Sequence, residues 1–477
     1  RCCLGFDFLM SDHATTLSPA RRLALDILLD VGRRDAFARD VLNANASLKN
    51  LDERDAGFTR RLVLGVTATS GCLDDFLQQC SDPKTRFNPR VRCALRIALF
   101  ELLYLDAPAN VAVSQGVELV RSQSRGAAGL ANAVLHRAAS NRSSFREAEG
   151  VDPVHARIVS LARKSGTPVW LARNIEDSLG QDAARDVFAS ELTPAPVTFH
   201  LNPLASGRVQ GDGVEEGSLP GCIEPIDSAA YIRSGALGAY KAVASDASAQ
   251  LIATSATRPG SCLEIGSGRG TKTFIMACQG FRTGWIRDHV AVDLYQEKCR
   301  MNAARLIDAG LPPARFAHGD ARDLGSVLSE IDNEASARVM FDTVLLDAPC
   351  SGTGTMRRHP EIPWRLAKQD IERELPALQF ELLCAAASRV ASAGELYYAT
   401  CSIMHAENMA VVQRFLSTPL GSQFKLAPVS GSAIFDLPAF AQAATTIRDS
   451  ENECGCYASH PAPNKPDGHF CARLVRA

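Results

Sequence analysis

The chain has 477 residues, 46% of them hydrophobic, and a formal net charge of −2. That is ample apolar material for roughly two to four packed domains. The balance of charge excludes a globally basic coat, so any nucleic-acid surface must be local. No apolar run reaches the length of a membrane span. Fifteen scattered, unpatterned cysteines suit a reducing cytoplasm better than a disulfide framework.

The opening RCCLGFDFL holds one Arg and a short apolar stretch, without the core and cleavage site of a signal peptide, and Met10 reads as the natural start. From Leu17 to about Ser144 the chain reads as helix. Ser18-Pro19 suits an N-cap followed by the first helical position. Leu23, Ile27, Leu28 and Val31 recur at helical spacing. Further amphipathic runs cover 55–72, 89–105, 111–123 and 127–139. No strand-like alternation interrupts them, so a bundle of about five to seven helices is expected. Residues 10–150 hold 19 Lys and Arg against 16 Asp and Glu, a slight excess, but the basic residues cluster. Lys84, Arg86, Arg90, Arg92 and Arg96 fall in a window without an acid. Such a stripe suits phosphate contacts, and would serve equally as a solvated helix face.

The next stretch, 151–242, is less patterned. Trp170–Leu179 and Ala183–Glu191 have helical periodicity. Pro194-Ala195-Pro196 breaks it, Val197–Leu201 reads as a strand, and the Gly- and acid-rich run Gly207–Gly221 as a loop.

An alternation of strands and helices follows. In SCLEIGSGRGTKT, Leu263 and Ile265 belong to a strand. Gly266, Gly268 and Gly270, with Ser267 and Arg269 between them, form a turn that leads through Thr271 into a helix starting at Lys272. Glycines there permit tight-turn φ values and close backbone approach to a ligand. The strand ending at Asp293 places an acid where nucleotide folds bind ribose hydroxyls. A third strand, 314–318, ends in Gly319-Asp320. The fourth lies in FDTVLLDAPCSGTGTMRRHP: Val344–Leu346 form a continuous apolar run, Asp347 stops it, and Pro349 ends the ladder ahead of Cys350. In GELYYATCS a further strand delivers Cys401 at the same end. Between them, Gln369–Ser392 supplies a crossover helix, so the two thiols can share a pocket. A single cysteine in such a place would more simply be a small buried hydrophobe; two at strand ends in polar turns point to chemistry.

DAPCSGTG with RRHPEI behind it, followed by YATCS, resembles the RNA cytosine-5 methyltransferases, and within them the bacterial 16S rRNA branch of the RsmB (Fmu/Sun) type. AVSQGVELVRSQ and GLANAVLHRA resemble the NusB-like RNA-binding domain fused to that branch. The resemblance covers nearly the whole chain from about Ser18. It implies an all-α NusB-like bundle (17–147), a small α/β RNA-binding subdomain (151–242) and a Rossmann-like class I methyltransferase domain (243–477). It implies S-adenosylmethionine as cofactor, held by Gly266, Ser267, Gly268, Arg269, Gly270, Thr271 and Lys272, with Asp293 at the ribose, Asp320 at the adenine and Asp347 beside them. The family usually has a Pro-Gly-Gly-Lys turn here; this chain has Gly-Ser-Gly-Arg-Gly-Thr-Lys.

By the same resemblance Cys401 is the nucleophile, Cys350 assists breakdown of the adduct, and Asp347 holds the cytosine amino group or a proton on the ring nitrogen. Arg357, Arg358 and His359 are expected at RNA phosphates, together with Lys84, Arg86, Arg90 and Arg92. The implied partner is 16S rRNA, in a small-subunit assembly intermediate or free, met by a cytoplasmic monomer without metal. Cys454, Cys456, His460, His469 and Cys471 do not have the spacing of a structural zinc site. A tRNA enzyme of the same mechanism, a non-catalytic NusB-like RNA-binding or antitermination factor, and a small-molecule methyltransferase are the other readings. The last gives no reason for the helical region or for two strand-end thiols.

Overall fold

A computed structural model describes residues 17–146, 152–205, 214–336 and 339–477. The start expected at Met10 lies outside them. The chain divides into two compact units, one running up to Val169 and including His359–Trp364, the other comprising Trp170–Arg358 and Arg365–Ala477.

The first unit is helical. Pro19 opens Pro19–Arg34 as its first helical residue after Ser18, whose side chain makes no cap hydrogen bond. Asp52 caps Glu53–Ala68 by accepting from the Asp55 N–H at 2.7 Å. Asn88 caps Pro89–Tyr104 through the Arg90 N–H. Between residues 17 and 146 the described chain forms eight α-helices, more than expected. The run expected at 55–72 divides into Glu53–Ala68 and Ser70–Gln79, and the other additional helices are short: Ala38–Ala44 has 7 residues and Arg142–Arg146 has 5, too few for a periodic signal. Leu25, Ile27, Leu62, Leu73 and Leu95 lie fully inside one continuous core. The segment His359–Trp364 belongs to this unit through specific contacts. The Trp364 indole donates to the Ala68 carbonyl at 2.6 Å and lies on Gly71, where a Cβ would fall 1.9 Å from the ring. Glu361 accepts from the Ala38 N–H.

The second unit holds two sheets. The smaller is β1 (Phe199–Leu201), β2 (Val214–Glu216), β3 (Cys222–Pro225) and β4 (Ala242–Ala244) in the order β2-β3-β1-β4, all antiparallel. Of the loop expected at Gly207–Gly221, 207–213 lie outside the described residues and 214–216 is strand β2. The larger sheet comprises β5 (Gly260–Ile265), β6 (Arg287–Asp293), β7 (Arg315–His318), β8 (Phe341–Asp347), β9 (Val390–Thr400), β10 (Phe424–Ala427), β11 (Tyr457–Ala458) and β12 (Phe470–Arg476). Its order is β10-β12-β9-β8-β5-β6-β7, with β11 on β12.

Strands β5 to β9 are parallel, β12 runs antiparallel to β9, and β10 runs antiparallel to β12. Val344, Leu345 and Leu346 are wholly buried, as expected for a strand covered on both faces. The chain runs outward from β5 through β6 to β7, then returns to β8 on the other side of β5. That reversal is the switch point at which open α/β sheets bind ligands, beyond the carboxyl ends of their strands. Strand β9 begins at Val390, before Gly394, and the crossover helix opens with a π-helical turn, Asp370–Glu374, before Leu375–Ala387. The last strands expected from about Phe415 are β10, β11 and β12, with several 3₁₀ turns and the helix Ala441–Arg448 between β10 and β11.

Candidate active site

Register brings the chemistry together. In the parallel ladder Ile265 pairs with Leu346 and Val292, Asp293 with His318, and Asp347 with Ala399. The strands therefore end level, and whatever follows each one gathers at a single edge. Three residues beyond Asp347 comes Cys350, and two beyond Ala399 comes Cys401. Their sulfurs are 3.2 Å apart, and the Cys401 N–H donates to the Cys350 Sγ at 3.3 Å. The Gly354 N–H donates to the Cys401 carbonyl, a second tie between the two loops.

Cys401 differs from the other buried cysteines. Burial pushes Cys72, Cys93, Cys222, Cys278 and Cys456 up to about 12. Cys401 moves down. The hydrogen bond from the Cys350 thiol is the largest influence and Lys272 adds to it; together they outweigh burial and the charges of Asp347 and Glu407. Cys350, which holds the shared proton, is raised well above the usual thiol range by that same hydrogen bond and by burial. A lowered, hydrogen-bonded thiol is the form suited to nucleophilic attack.

Next to the cysteines the strand ends enclose a cavity of about 450 Å³. Its wall includes Gly266 and Gly268 from the glycine turn, Asp293, Asp320, Asp347 and Pro349, with Tyr295, Lys298, Leu378 and Leu382. Gly266 has φ 81°, and a Cβ there would sit 2.4 Å from the Asp347 carbonyl oxygen; no other residue fits. Gly270, at φ 73°, caps the helix Thr271–Thr283 and lies against the Asn302 amide. The Gly268 N–H donates to Asp293 at 2.7 Å and the Tyr295 N–H to its other oxygen, while Asn302 donates to the Gly268 carbonyl. The turn is thus held from both sides. Ser267, Arg269, Gly270 and Thr271 share it but do not line the cavity. Asp320 is half exposed and receives the Arg322 guanidinium, whose hydrogen bonds hold its carboxyl below the usual range.

Lys272 reaches across to Asp347, 2.7 Å from Nζ to Oδ2. Burial disfavours its ammonium, but the charge and hydrogen bond of Asp347 outweigh that and raise it. This pairing of two expected site residues is not legible from their separation in sequence.

The residues expected at RNA phosphates differ in exposure. Arg357 was expected at RNA phosphate. Its side chain is wholly buried, donating to Asp467 at 2.7 Å and to the Ala462 and Lys465 carbonyls, and it offers no exposed atom. Arg358 pairs with Asp467 and Asp246 and donates to the Pro196 carbonyl, leaving it a quarter exposed. His359 lies edge-on to Phe37. Lys84, Arg86 and Arg90 are exposed. Arg92 and Arg96 share Asp74, an acid from the preceding helix that a linear window misses. Among the described residues no three His, Cys, Asp or Glu side chains converge as metal ligands.

One residue has no counterpart in the sequence reading. Glu407, six positions after Cys401, is fully buried and accepts from the residues flanking both cysteines. An acid in a segment otherwise closing into the core is the signal that could have marked it.

A mostly parallel sheet with a glycine turn after its first strand, acids at the next strand ends and a cavity at the switch point is a Rossmann-like methyltransferase fold, joined to a helical NusB-like unit. Residues 259–475 match the sequence model of the 16S rRNA methyltransferase RsmB/F family, and residues 18–140 that of the NusB family. The chain is 31% identical over 404 residues to ribosomal RNA small subunit methyltransferase B of Thermus thermophilus, covering 83% of this chain and 87% of that one. It is 29% identical over 423 residues to a probable ribosomal RNA small subunit methyltransferase B of Synechocystis, covering 83% and 89%. The crystal structure of PH0851 has the same fold, with a TM-score of 0.70 at 21% identity over 96% of this chain and 99% of that one. This chain belongs to the small-subunit ribosomal RNA methyltransferase B family.

Proposed function

We propose that the protein transfers a methyl group from S-adenosylmethionine to carbon 5 of a cytosine in 16S rRNA, through a covalent adduct on Cys401. The observation that carries this reading is the thiol pair. Two cysteines lie 3.2 Å apart at matched strand ends beside the cavity, one lowered and one raised.

The cavity fits the cofactor by its chemistry. Gly266 and Gly268 let a ligand come close to backbone, Asp293 and Asp320 are acceptors for hydroxyl and amino groups, and Leu378 and Leu382 give an apolar wall. When bound there, S-adenosylmethionine supplies an electrophilic methyl group.

Carbon 5 of cytosine is too weak a nucleophile to take a methyl group unaided. The Cys401 thiolate adds to carbon 6, forming a C–S bond and moving the electron pair of the 5,6 double bond onto carbon 5. Carbon 5 would take the methyl group as the methyl–sulfonium bond breaks, its electron pair staying on the sulfur. Transfer of the carbon-5 proton to water then restores the double bond as the C–S bond breaks, returning the pair to Cys401. Cys350, whose thiol stays protonated, assists this release by donating a hydrogen bond to the departing Cys401 sulfur, 3.2 Å away in the free protein. Lys272 orients Asp347 through one oxygen, and the other carboxylate oxygen accepts from the cytosine amino group. The target base must leave its stack to reach these groups. Lys84, Arg86 and Arg90 provide phosphate contacts. The enzyme acts in the cytoplasm as a monomer.

The test is transfer of labelled methyl from S-adenosylmethionine to undermodified small-subunit rRNA by wild type, Cys401→Ala and Cys350→Ala. Wild type should label the rRNA at cytosine carbon 5 and leave tRNA unlabelled. Cys401→Ala should be dead, and Cys350→Ala should accumulate a protein–RNA adduct that survives a denaturing gel. An adduct in Cys401→Ala but not in Cys350→Ala reverses the roles. No label in any RNA, with RNA still bound, leaves a binding factor.

A further inference from the structure

We propose that Glu407 is a positioning residue that holds the two cysteine loops in register, so that Cys350 stays within reach of Cys401 for the release step. This inference rests on the methyl-transfer reading for its catalytic consequence, but not for its geometry.

One carboxylate ties together the residues next to both thiols. Its Oε1 accepts from the Ser351 hydroxyl at 2.5 Å and the Ser402 hydroxyl at 2.7 Å. Its Oε2 accepts from the Ser351 N–H at 2.8 Å and from Gln379 Nε2 at 3.0 Å. Ser351 follows Cys350 and Ser402 follows Cys401, so the two nearest hydroxyls belong to the two loops. Gln379 also donates to the Pro349 carbonyl at 2.9 Å, fixing the other side of Cys350. Glu407 is itself anchored: the Tyr398 hydroxyl donates to its carbonyl at 2.5 Å and its N–H donates to Met404. It is 0% exposed. A buried carboxylate offers about four acceptor positions, and here four donors use them.

Charge argues against a simpler role. The negative charge of Glu407 raises both thiols, which by itself works against a nucleophile. A carboxylate kept there in spite of that is explained by what it holds. Displacements near 1 Å in a reacting geometry can reduce rates about a hundredfold.

The distance between the thiols can be read without substrate, from the rate at which diamide converts them to a disulfide, followed by peptide mass spectrometry. Glu407→Ala should cross-link Cys350 to Cys401 at least tenfold more slowly than wild type. Glu407→Gln should stay within about twofold, because the two serine hydroxyls can turn to accept from its amide while its oxygen takes the Ser351 N–H and Gln379. Having lost the charge, Glu407→Gln should alkylate Cys401 with a pH profile moved to lower pH. Ser402→Ala, which removes one arm, should slow cross-linking about threefold and keeps the test available if Glu407→Ala does not fold. In the labelling assay Glu407→Ala should accumulate the adduct as Cys350→Ala does, with cofactor KM little changed.

Wild-type cross-linking in a folded Glu407→Ala, or in Ser402→Ala if Glu407→Ala does not fold, overturns the proposal. Equal impairment of Glu407→Gln and Glu407→Ala also overturns it, since charge would then be the operative property. If the cross-linking rates follow the prediction but wild type methylates no RNA, the methyl-transfer reading fails and the clamp stands.

Discussion

Replacing Lys272 by Met removes the only cation seen hydrogen-bonded to Asp347 among the described residues. At 2.7 Å, with an effective dielectric of about 20, the gross attraction is about 6 kcal/mol. The pair is not sealed off, since the side chains are 15% and 30% exposed, so solvent returns part of that. Stranding one member of a fully buried pair costs about 3–5 kcal/mol; here about 2–3 kcal/mol of stability should go. Asp347→Asn in the same background should recover most of it, giving a coupling of about 2 kcal/mol in a denaturant double-mutant cycle.

A second effect concerns the nucleophile. Lys272 lowers the Cys401 thiol and Asp347 raises it, so Lys272→Met deprives the thiolate of its helper and leaves the opposing charge. The pH profile of Cys401 alkylation by iodoacetamide, followed by mass spectrometry, should move to higher pH. Lys272→Met with a loss below about 0.5 kcal/mol and an unmoved Cys401 profile would refute the reasoning, because the pair would then be a surface contact.

Glu191 is buried with an unpartnered oxygen, and burial raises its carboxyl to about 8. A raised acid keeps its proton in the folded state while the unfolded chain loses it, so it subtracts stability increasingly from about pH 4.5 to about pH 8. Glu191→Gln should therefore stabilise by on the order of 3 kcal/mol at pH 8 and by little at pH 4, read by thermal melts at both. Gly266→Ala should lose cofactor binding by calorimetry and about 1–3 kcal/mol of stability, since the new Cβ would meet the Asp347 carbonyl 2.4 Å away at a φ of 81°. Trp364→Ala should cost the helical unit about 2 kcal/mol in chemical denaturation, through the emptied space beside Gly71 and the lost bond to Ala68. Lys84→Ala with Arg90→Ala should weaken rRNA binding across sequences and flatten its log–log salt slope by about two.

Local pattern in the chain was enough for the strand-end architecture. The apolar run Val344–Leu346, the glycines at 266, 268 and 270, and a thiol just past each of two strands are signals of a few consecutive residues. Backbone sterics and burial make such signals decisive wherever they occur. With parallel pairing, they already put Cys350 and Cys401 at one edge, and the register of Asp347 with Ala399 is what brings their sulfurs to 3.2 Å.

What tertiary structure decided is which charge meets which. Arg357 looks like a phosphate ligand in RRHP and is instead spent on Asp467, 110 positions away. The acid-free window at Lys84–Arg96 acquires Asp74 from a neighbouring helix. Lys272 and Asp347, both expected at the site, neutralise one another across 75 positions, and Glu407 gathers four donors from three elements. Propensity and periodicity act over one or two turns or a single strand, so they write elements into the sequence. A Coulomb or hydrogen-bond partner is chosen by distance in space, which exists only once the sheet has closed its register and buried its faces.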